Sequence, residues 1–485
     1  MSLAGTLLAL ALLIWLAYRG WSVLLLAPVA AILAAAIAGE PILAHWTQTF
    51  MTSGAHFLAQ FFPLFLLGAL FGKLMDDSGS VETIAHFMIE WLGTHRAMLA
   101  VVLAGALVTY GGVSVFVAFF VLAPMAQALF RKANIPRRLM PGAIGLGTMT
   151  FTMTALPGTP AIQNAIPMPF FGTTPFAAPG LGILASAVML AFGLWWLGRA
   201  EGRARRSGEG FGDGSDTAAR EAARDETVRA RATTAREFDP AEIEHGRRGA
   251  SRPPITLAAL PLAIVVVVNL TMSLVVLPRL DVSFLSQEAW GGTSLSAVAG
   301  IWAVIVALAA AIVTVIVVNH RRLPTVRESM DAGANAAVLP ALTVASLVGF
   351  GAVIASLPAF AAVRDALLLA GAAGPLVSLA VAMNVLSALT GSASGGMAIA
   401  LDALGGAYMT LASQHGIAPA LLHRVAVISS GTLDTLPHNG AVVTLFAVCG
   451  TTHRESYLDI VMVAIVGATI ALVAVIAVGS AFGSF

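Results

Sequence analysis

Two apolar stretches of this chain, 280 residues apart, are interrupted at matching places. The first carries Tyr110-Gly-Gly-Val-Ser114 and then Thr154-Ala-Leu-Pro-Gly158. The second carries Thr390-Gly-Ser-Ala-Ser394 and then Asp434-Thr-Leu-Pro-His438. Gly111 pairs with Gly391, Ser114 with Ser394, Leu156 with Leu436 and Pro157 with Pro437, all at one offset. Backbone that leaves the helix inside a bilayer is tolerated only where it is buried in protein or lines a cavity. Matched Gly and Pro interruptions in two halves point to the binding site of a secondary transporter. A chain patterned this way is expected to carry a solute, with the four breaks forming its site.

Composition sets the class. Of 485 residues, 58% are apolar and 11% charged, which predicts an all-α polytopic membrane protein. A net charge of +1 leaves no surplus of basic side chains for a nucleic-acid partner. Between Arg199 and Arg252 stand 12 Arg and 11 Asp or Glu, 23 of the chain's 51 charged side chains. Residues 199–254 therefore read as a charged, disordered linker between a first repeat, 1–198, and a second, 255–485. Cys449 is the single cysteine, so no disulfide closes within the chain. Residues 1–17 are apolar, lack a basic leading region and run into Arg19, which predicts a first spanning helix and not a cleaved signal.

Apolar runs long enough to span fall near 2–17, 21–38, 56–74, 181–198, 255–277, 296–318, 333–355 and 457–482. Between them the first repeat holds a re-entrant hairpin at about 97–130 and a broken helix at about 139–172. The second holds a hairpin at about 371–412 and a broken helix at about 421–450. Five crossings and one hairpin per repeat make the second repeat inverted. Basic residues agree with that threading: Arg19, Lys73, Arg131, Lys132, Arg137, Arg138, the linker, Arg321, Arg322, Arg327 and Arg454 all fall on one side. By the positive-inside rule that side is cytoplasmic, and both termini are outside. Phe71-Gly72 repeats as Phe350-Gly351, and the segments after them, 81–92 and 359–370, are short enough to lie in the interface. Arms placed there would let each hairpin and broken helix slide against the first three helices.

A helix that ends inside the membrane leaves unpaired N–H groups at its N-terminus, which attract an anion without any buried Lys or Arg. Gly111, Gly112, Gly391, Gly395 and Gly396 would let backbone approach the ligand, beside the hydroxyls of Ser114, Thr390, Ser392 and Ser394. On the broken helices Thr154, Thr159, Gln163 and Asn164 would face His438 and Asn439. Any one of these small residues could equally pack helices together; the four clusters jointly favour a site. With no Lys or Arg in the breaks, dipoles and hydroxyls must hold the carboxylate, which suits a small, singly charged hydroxy acid. Asp434 and His438 have no ionisable counterparts in the first repeat, and Asp402 corresponds to Leu122. Ionisable groups at membrane depth are functional candidates, so Asp434, His438 and then Asp402 are expected to carry a coupled proton. Alternatively, Asp434 caps the half-helix that follows it.

The run Ser430-Gly-Thr-Leu-Asp-Thr-Leu-Pro-His-Asn-Gly440, with Thr390-Gly-Ser-Ala-Ser-Gly-Gly396 before it, resembles the GntP-type gluconate permease family. Tyr110-Gly-Gly-Val-Ser114 and Ala155-Leu-Pro-Gly-Thr-Pro160 fit the same pattern, and the likeness is greatest to members described as D-3-hydroxybutyrate permeases. The resemblance implies proton-coupled uptake of small hydroxy acids across a bacterial inner membrane. It also places the chain beside the ion transporter superfamily, whose sodium–dicarboxylate branch is similar in layout and works as a homodimeric elevator. That branch carries Ser-Asn-Thr at both hairpin tips; Gly-Gly-Val-Ser and Gly-Ser-Ala-Ser here set sodium coupling and dicarboxylates behind protons and monocarboxylates. A sodium-coupled organic-anion carrier is the first alternative. An intramembrane hydrolase is a remote one, since Gly391-Ser-Ala-Ser-Gly395 puts Ala393 where a nucleophile would stand, and no H-E-x-x-H zinc motif exists. Neither a cofactor nor a metal is expected.

Overall fold

The computed structural model describes residues 8–9, 11–13, 15–16, 21–212, 252–323, 325–358, 360, 374–437 and 439–485. Among these the chain is helical with no strand, as expected where each segment must satisfy its own backbone. The described parts of 8–16 are helical and lead to α1 (Val23–Ala38), whose 16 residues are fewer than a perpendicular span requires. Eight described helices are long and apolar enough to cross a bilayer. Six coincide with expected spans: α2 (Ile42–Asp77), α10 (Pro179–Arg206), α11 (Ile255–Arg279), α12 (Leu295–Asn319), α13 (Val326–Ser356) and α18 (His453–Phe482). The other two, α5 (Val115–Ala133) and α15 (Ala393–Gln414), are the second arms of the hairpins.

Helix α2 starts earlier than hydropathy suggests. The span expected to begin near residue 56 is helical from Ile42 and includes a wide π turn over His45–Phe50. After α2 comes α3 (Ser80–Leu92), an amphipathic helix that meets the next one at 104°. Gly93, at φ 69°, makes that corner. The first hairpin then rises through α4 (Ala97–Tyr110) to a tip at Gly111–Ser114 and returns along α5. Its broken helix consists of α6 (Met140–Thr148), α7 (Phe151–Thr154), an unwound stretch, α8 (Ile162–Ala165) and α9 (Pro167–Phe171). In the other half α14 (Pro375–Thr390) leads to the tip and to α15, followed by α16 (Pro419–Ser430), the second break and α17 (Gly440–Cys449).

Helices α2 and α13 pack against each other over most of their length. A Cβ on Gly349 would stand 2.7 Å from the Phe50 carbonyl oxygen, one on Gly54 3.0 Å from that of Ala345, and one on Gly333 3.0 Å from the Leu70 Cα. Position rises along one helix as it falls along the other, so the two run antiparallel, brought close by small residues. Near one end Lys73 pairs with Asp77 at 2.9 Å, and Ser329 Oγ donates to the other Asp77 oxygen at 2.6 Å. Packing is reciprocal: α1 lies on α13 and α12 on α2, while α17 touches α5 and α9 touches α15.

Ordered structure runs into the segment expected as a linker. α10 stays helical through Arg206, and Glu209 binds Arg138 through two hydrogen bonds of 2.7 and 3.0 Å. The Arg138 guanidinium holds the Glu209 carboxyl below the ordinary glutamate range. Phe211 N–H donates to Asn134 Oδ1 at 3.1 Å, and at the far end Thr83 Oγ1 donates to the Pro253 carbonyl at 3.1 Å. Disorder expected over 213–251, the arm expected at 359–370 (Phe360 excepted) and His438 lie outside the described residues.

Candidate functional site

A cavity of about 170 Å³ lies where the two hairpin tips, the first break and the paired helices α2 and α13 meet. The first tip contributes Gly112 to Phe116 and the second contributes Ser394. Met153 and Pro160–Gln163 come from the first broken helix. Leu64, Phe65, Gly68 and Ala69 of α2, with Ala336, Ala337, Pro340 and Val344 of α13, form an apolar wall. Ser114 and Ser394, matched in sequence at the 280-residue offset, thus line one space.

The tip chemistry is unequal. Gly112 adopts φ 98°, and a Cβ there would come within 2.9 Å of Pro160 Cγ, so this turn needs glycine on both counts. Ser114 is the N-cap residue of α5 but makes no side-chain cap bond, leaving the helix N-terminus turned to the cavity. At the second tip Ser392 Oγ accepts from Gly395 N–H at 3.2 Å and lies 3.2 Å from Ser394 Oγ, so this helix caps itself. The sequence treated the tips as equivalent; the first alone presents a helix terminus without a side-chain cap. Gly111 also plays a different part from the one expected: a Cβ there would stand 2.0 Å from Leu262 Cδ2 of α11, so this glycine admits a packing side chain and does not line the cavity. Gly396 likewise lets α15 approach the Ser387 backbone, within 2.4 Å of an added Cβ, and Gly395 makes room for Leu347.

Gln163 is 5% exposed, lines the cavity, and its Oε1 has no hydrogen-bond partner. A buried orphan acceptor is costly, and a ligand donor would satisfy it. Other polar residues proposed from sequence are occupied by the protein itself. Thr154 Oγ1 donates to the Thr150 carbonyl at 3.1 Å, and Thr159 Oγ1 accepts from Ala161 N–H at 3.3 Å. Thr390 Oγ1 donates to the Leu386 carbonyl at 2.8 Å. Asn164 Nδ2 donates to the Thr159 and Pro175 carbonyls at 3.1 and 3.0 Å. Asn439 Oδ1 accepts from Val442 N–H at 3.1 Å, capping α17, while its Nδ2 donates to the Gly391 carbonyl at 3.0 Å. The cap considered for Asp434 is therefore supplied by Asn439, five residues later and directly before the helix.

Carbonyls freed by the breaks find side chains. Tyr110 Oη donates to the Pro157 carbonyl at 2.8 Å, and His453 Nε2 lies 3.0 Å from that of Pro437. Thr154 Cγ2 would be 2.5 Å from a Cβ on Gly431, so the two breaks touch. Asp434 sits in the second break, half-buried and outside the cavity lining, and Asp402 is exposed on α15.

One group went unnoticed in the sequence. Arg424 of α16 is fully buried and reaches the first broken helix: its Nε and Nη2 donate to the Ala177 carbonyl at 3.1 and 2.6 Å, and Nη1 to that of Ala155 at 3.0 Å. Neighbouring His423 is also fully buried, between Thr173 Oγ1 at 2.6 Å and Asn164 Oδ1 at 3.2 Å. No Lys or Arg stands within the breaks themselves, yet Arg424 reaches the first of them from α16. An adjacent His-Arg inside an apolar helix was the available signal.

Known proteins are similar to this chain in sequence. Residues 1–169 match the GntP family permease description. Over 490 aligned residues, covering 100% of both chains, the sequence is 41% identical to an uncharacterized transporter, YxjC, of Bacillus subtilis (strain 168). A stretch of 104 residues, 21% of this chain and 23% of the relative, is 34% identical to the high-affinity gluconate transporter of Escherichia coli (strain K12). The full-length relative, together with the family match over residues 1–169, makes this chain a member of the GntP permease family of membrane transporters.

Proposed function

We propose that the protein is a proton-coupled symporter for a small hydroxy monocarboxylate, bound in the cavity between the hairpin tips. The observation that carries this reading is the buried, unpartnered Gln163 Oε1 beside Ser114 and Ser394 in one space. A carboxylate would lie at the N-terminus of α5, drawn by the helix dipole and the Ser114 hydroxyl. The ligand hydroxyl would donate to Gln163 Oε1. Size selects among acids. An apolar cavity of about 150 Å³ takes benzene, so 170 Å³ suits an acid of about that bulk, such as 3-hydroxybutyrate. Gluconate is a longer chain with a hydroxyl on every carbon but the carboxylate's, and the wall formed by Leu64, Phe65, Pro340 and Val344 offers those hydroxyls no partners.

Antiparallel α2 and α13 and the reciprocal packing around them support two inverted repeats. In that arrangement each hairpin and broken helix would move as an elevator against α2 and α13, within a homodimer in the bacterial inner membrane. The cytoplasmic side would carry the linker, and both termini would be periplasmic. Asp434, with His438, is the first candidate for the proton and Asp402 the second. Uptake into proteoliposomes tests the whole reading. Labelled 3-hydroxybutyrate should accumulate under an inward proton gradient with choline in place of sodium, and outcompete gluconate. Accumulation that requires sodium, or equal preference for gluconate, would overturn it.

A further inference from the structure

We propose that Arg424 is the fixed counter-charge of the transported anion, acting on it from behind the first break without touching it; this rests on the cavity assigned above. Arg424 is fully buried, and its hydrogen bonds go to neutral oxygens: two backbone carbonyls and Asn164 Oδ1, the last at 3.5 Å. Among the described residues no carboxylate lies within ion-pair distance of it. The buried Lys73 shows the usual solution, a carboxylate 2.9 Å away. A buried charge satisfied by dipoles alone remains a net positive charge in a low-dielectric interior, which is expensive unless something balances it.

Its position says what that would be. The carbonyl bound by Nη1 belongs to Ala155, two residues after Met153 of the cavity wall. Asn164 directly follows Gln163, the orphan acceptor. Arg424 therefore holds the first residue of the unwound segment, Ala155, and reaches Asn164 of α8, and Pro160–Gln163 between these two points line the cavity. The guanidinium would thus act on the anion through the backbone that joins its partners to the cavity lining. Its repeat counterpart is Ile144, so this charge enters from the second half only. Since Arg stays charged at every relevant pH, the potential is permanent and little screened by salt.

A simple clamp on the carbonyls would explain the bonds equally well, and ligand charge separates the two roles. Binding of 3-hydroxybutyrate and of its uncharged amide should be measured on purified Arg424→Gln and Arg424→Lys proteins. The counter-charge role predicts that Arg424→Gln lowers affinity for the acid by about tenfold, leaves the amide unchanged, and that Arg424→Lys restores the acid-to-amide ratio. Asn164→Asp places a carboxylate against the guanidinium while leaving it in place, and should also lower that ratio. It serves if Arg424→Gln fails to fold. Equal losses for acid and amide in Arg424→Gln, or an unaltered ratio in Asn164→Asp, would overturn the proposal. Failure of the cavity assignment shows itself separately, as wild-type acid affinity that Gln163→Met does not change.

Discussion

Replacing Gln163 by methionine keeps the length of the side chain and deletes a buried cavity acceptor that lacks a partner. Two effects of opposite sign follow. In the empty carrier an unsatisfied buried acceptor costs about 1–3 kcal/mol, so its removal should raise the thermal stability of the ligand-free protein. In the loaded carrier the hydrogen bond from the substrate hydroxyl disappears, costing about 1 kcal/mol, or roughly fivefold in affinity. The loss should be confined to ligands that carry the hydroxyl. Ligand-induced shifts in melting temperature for 3-hydroxybutyrate and butyrate, measured on both proteins, report the two effects together. The expected pattern is a more stable empty variant, weaker 3-hydroxybutyrate binding and unaltered butyrate binding. A variant that binds both acids as the wild type does, or loses both alike, would show that Gln163 packs against the ligand or against nothing.

Asp434→Asn should abolish uphill, proton-driven uptake while counterflow exchange of labelled for unlabelled substrate survives; accumulation against a gradient in this variant would move the proton to Asp402. Asn439→Ala removes both the α17 cap and the bond to the Gly391 carbonyl and should destabilise the protein by about 1–2 kcal/mol, with Asn439→Asp, which keeps the cap, less affected in thermal unfolding. Gly112→Ala should lower transport with the protein still inserted, because its Cβ would meet Pro160 Cγ at 2.9 Å in a conformation at φ 98°. Cysteines introduced at Ala133 and Gln414 should react with an impermeant maleimide from opposite faces, and labelling of both from outside would refute the inverted arrangement.

Much of this architecture was legible because membrane depth makes irregular backbone conspicuous. Paired Gly and Pro interruptions located both tips and both breaks, and Ser114 and Ser394 do line one cavity. The apolar wall from α2 and α13 was not legible, since Leu64 or Val344 facing a cavity reads like the same residue facing lipid. Roles inside the breaks were also hidden. Asn164 and Asn439 looked like ligand donors, yet backbone carbonyls freed by the breaks take their side-chain amides. Arg424 escaped notice for a related reason: it lies in one half and serves a break in the other, a relation no local pattern reveals.

The self-capped second tip bears on the electrical character of the cycle. A cavity facing two helix N-termini without caps could hold a negative charge at each, and would suit a diacid. Here Ser392 occupies the second terminus, so the cavity presents one such terminus and matches one carboxylate. In the symport proposed above, a monoanion moving with a single proton carries no net charge across the membrane. Such a carrier would respond to the pH difference and be indifferent to voltage, and a potassium diffusion potential imposed on proteoliposomes at equal pH would then drive no accumulation.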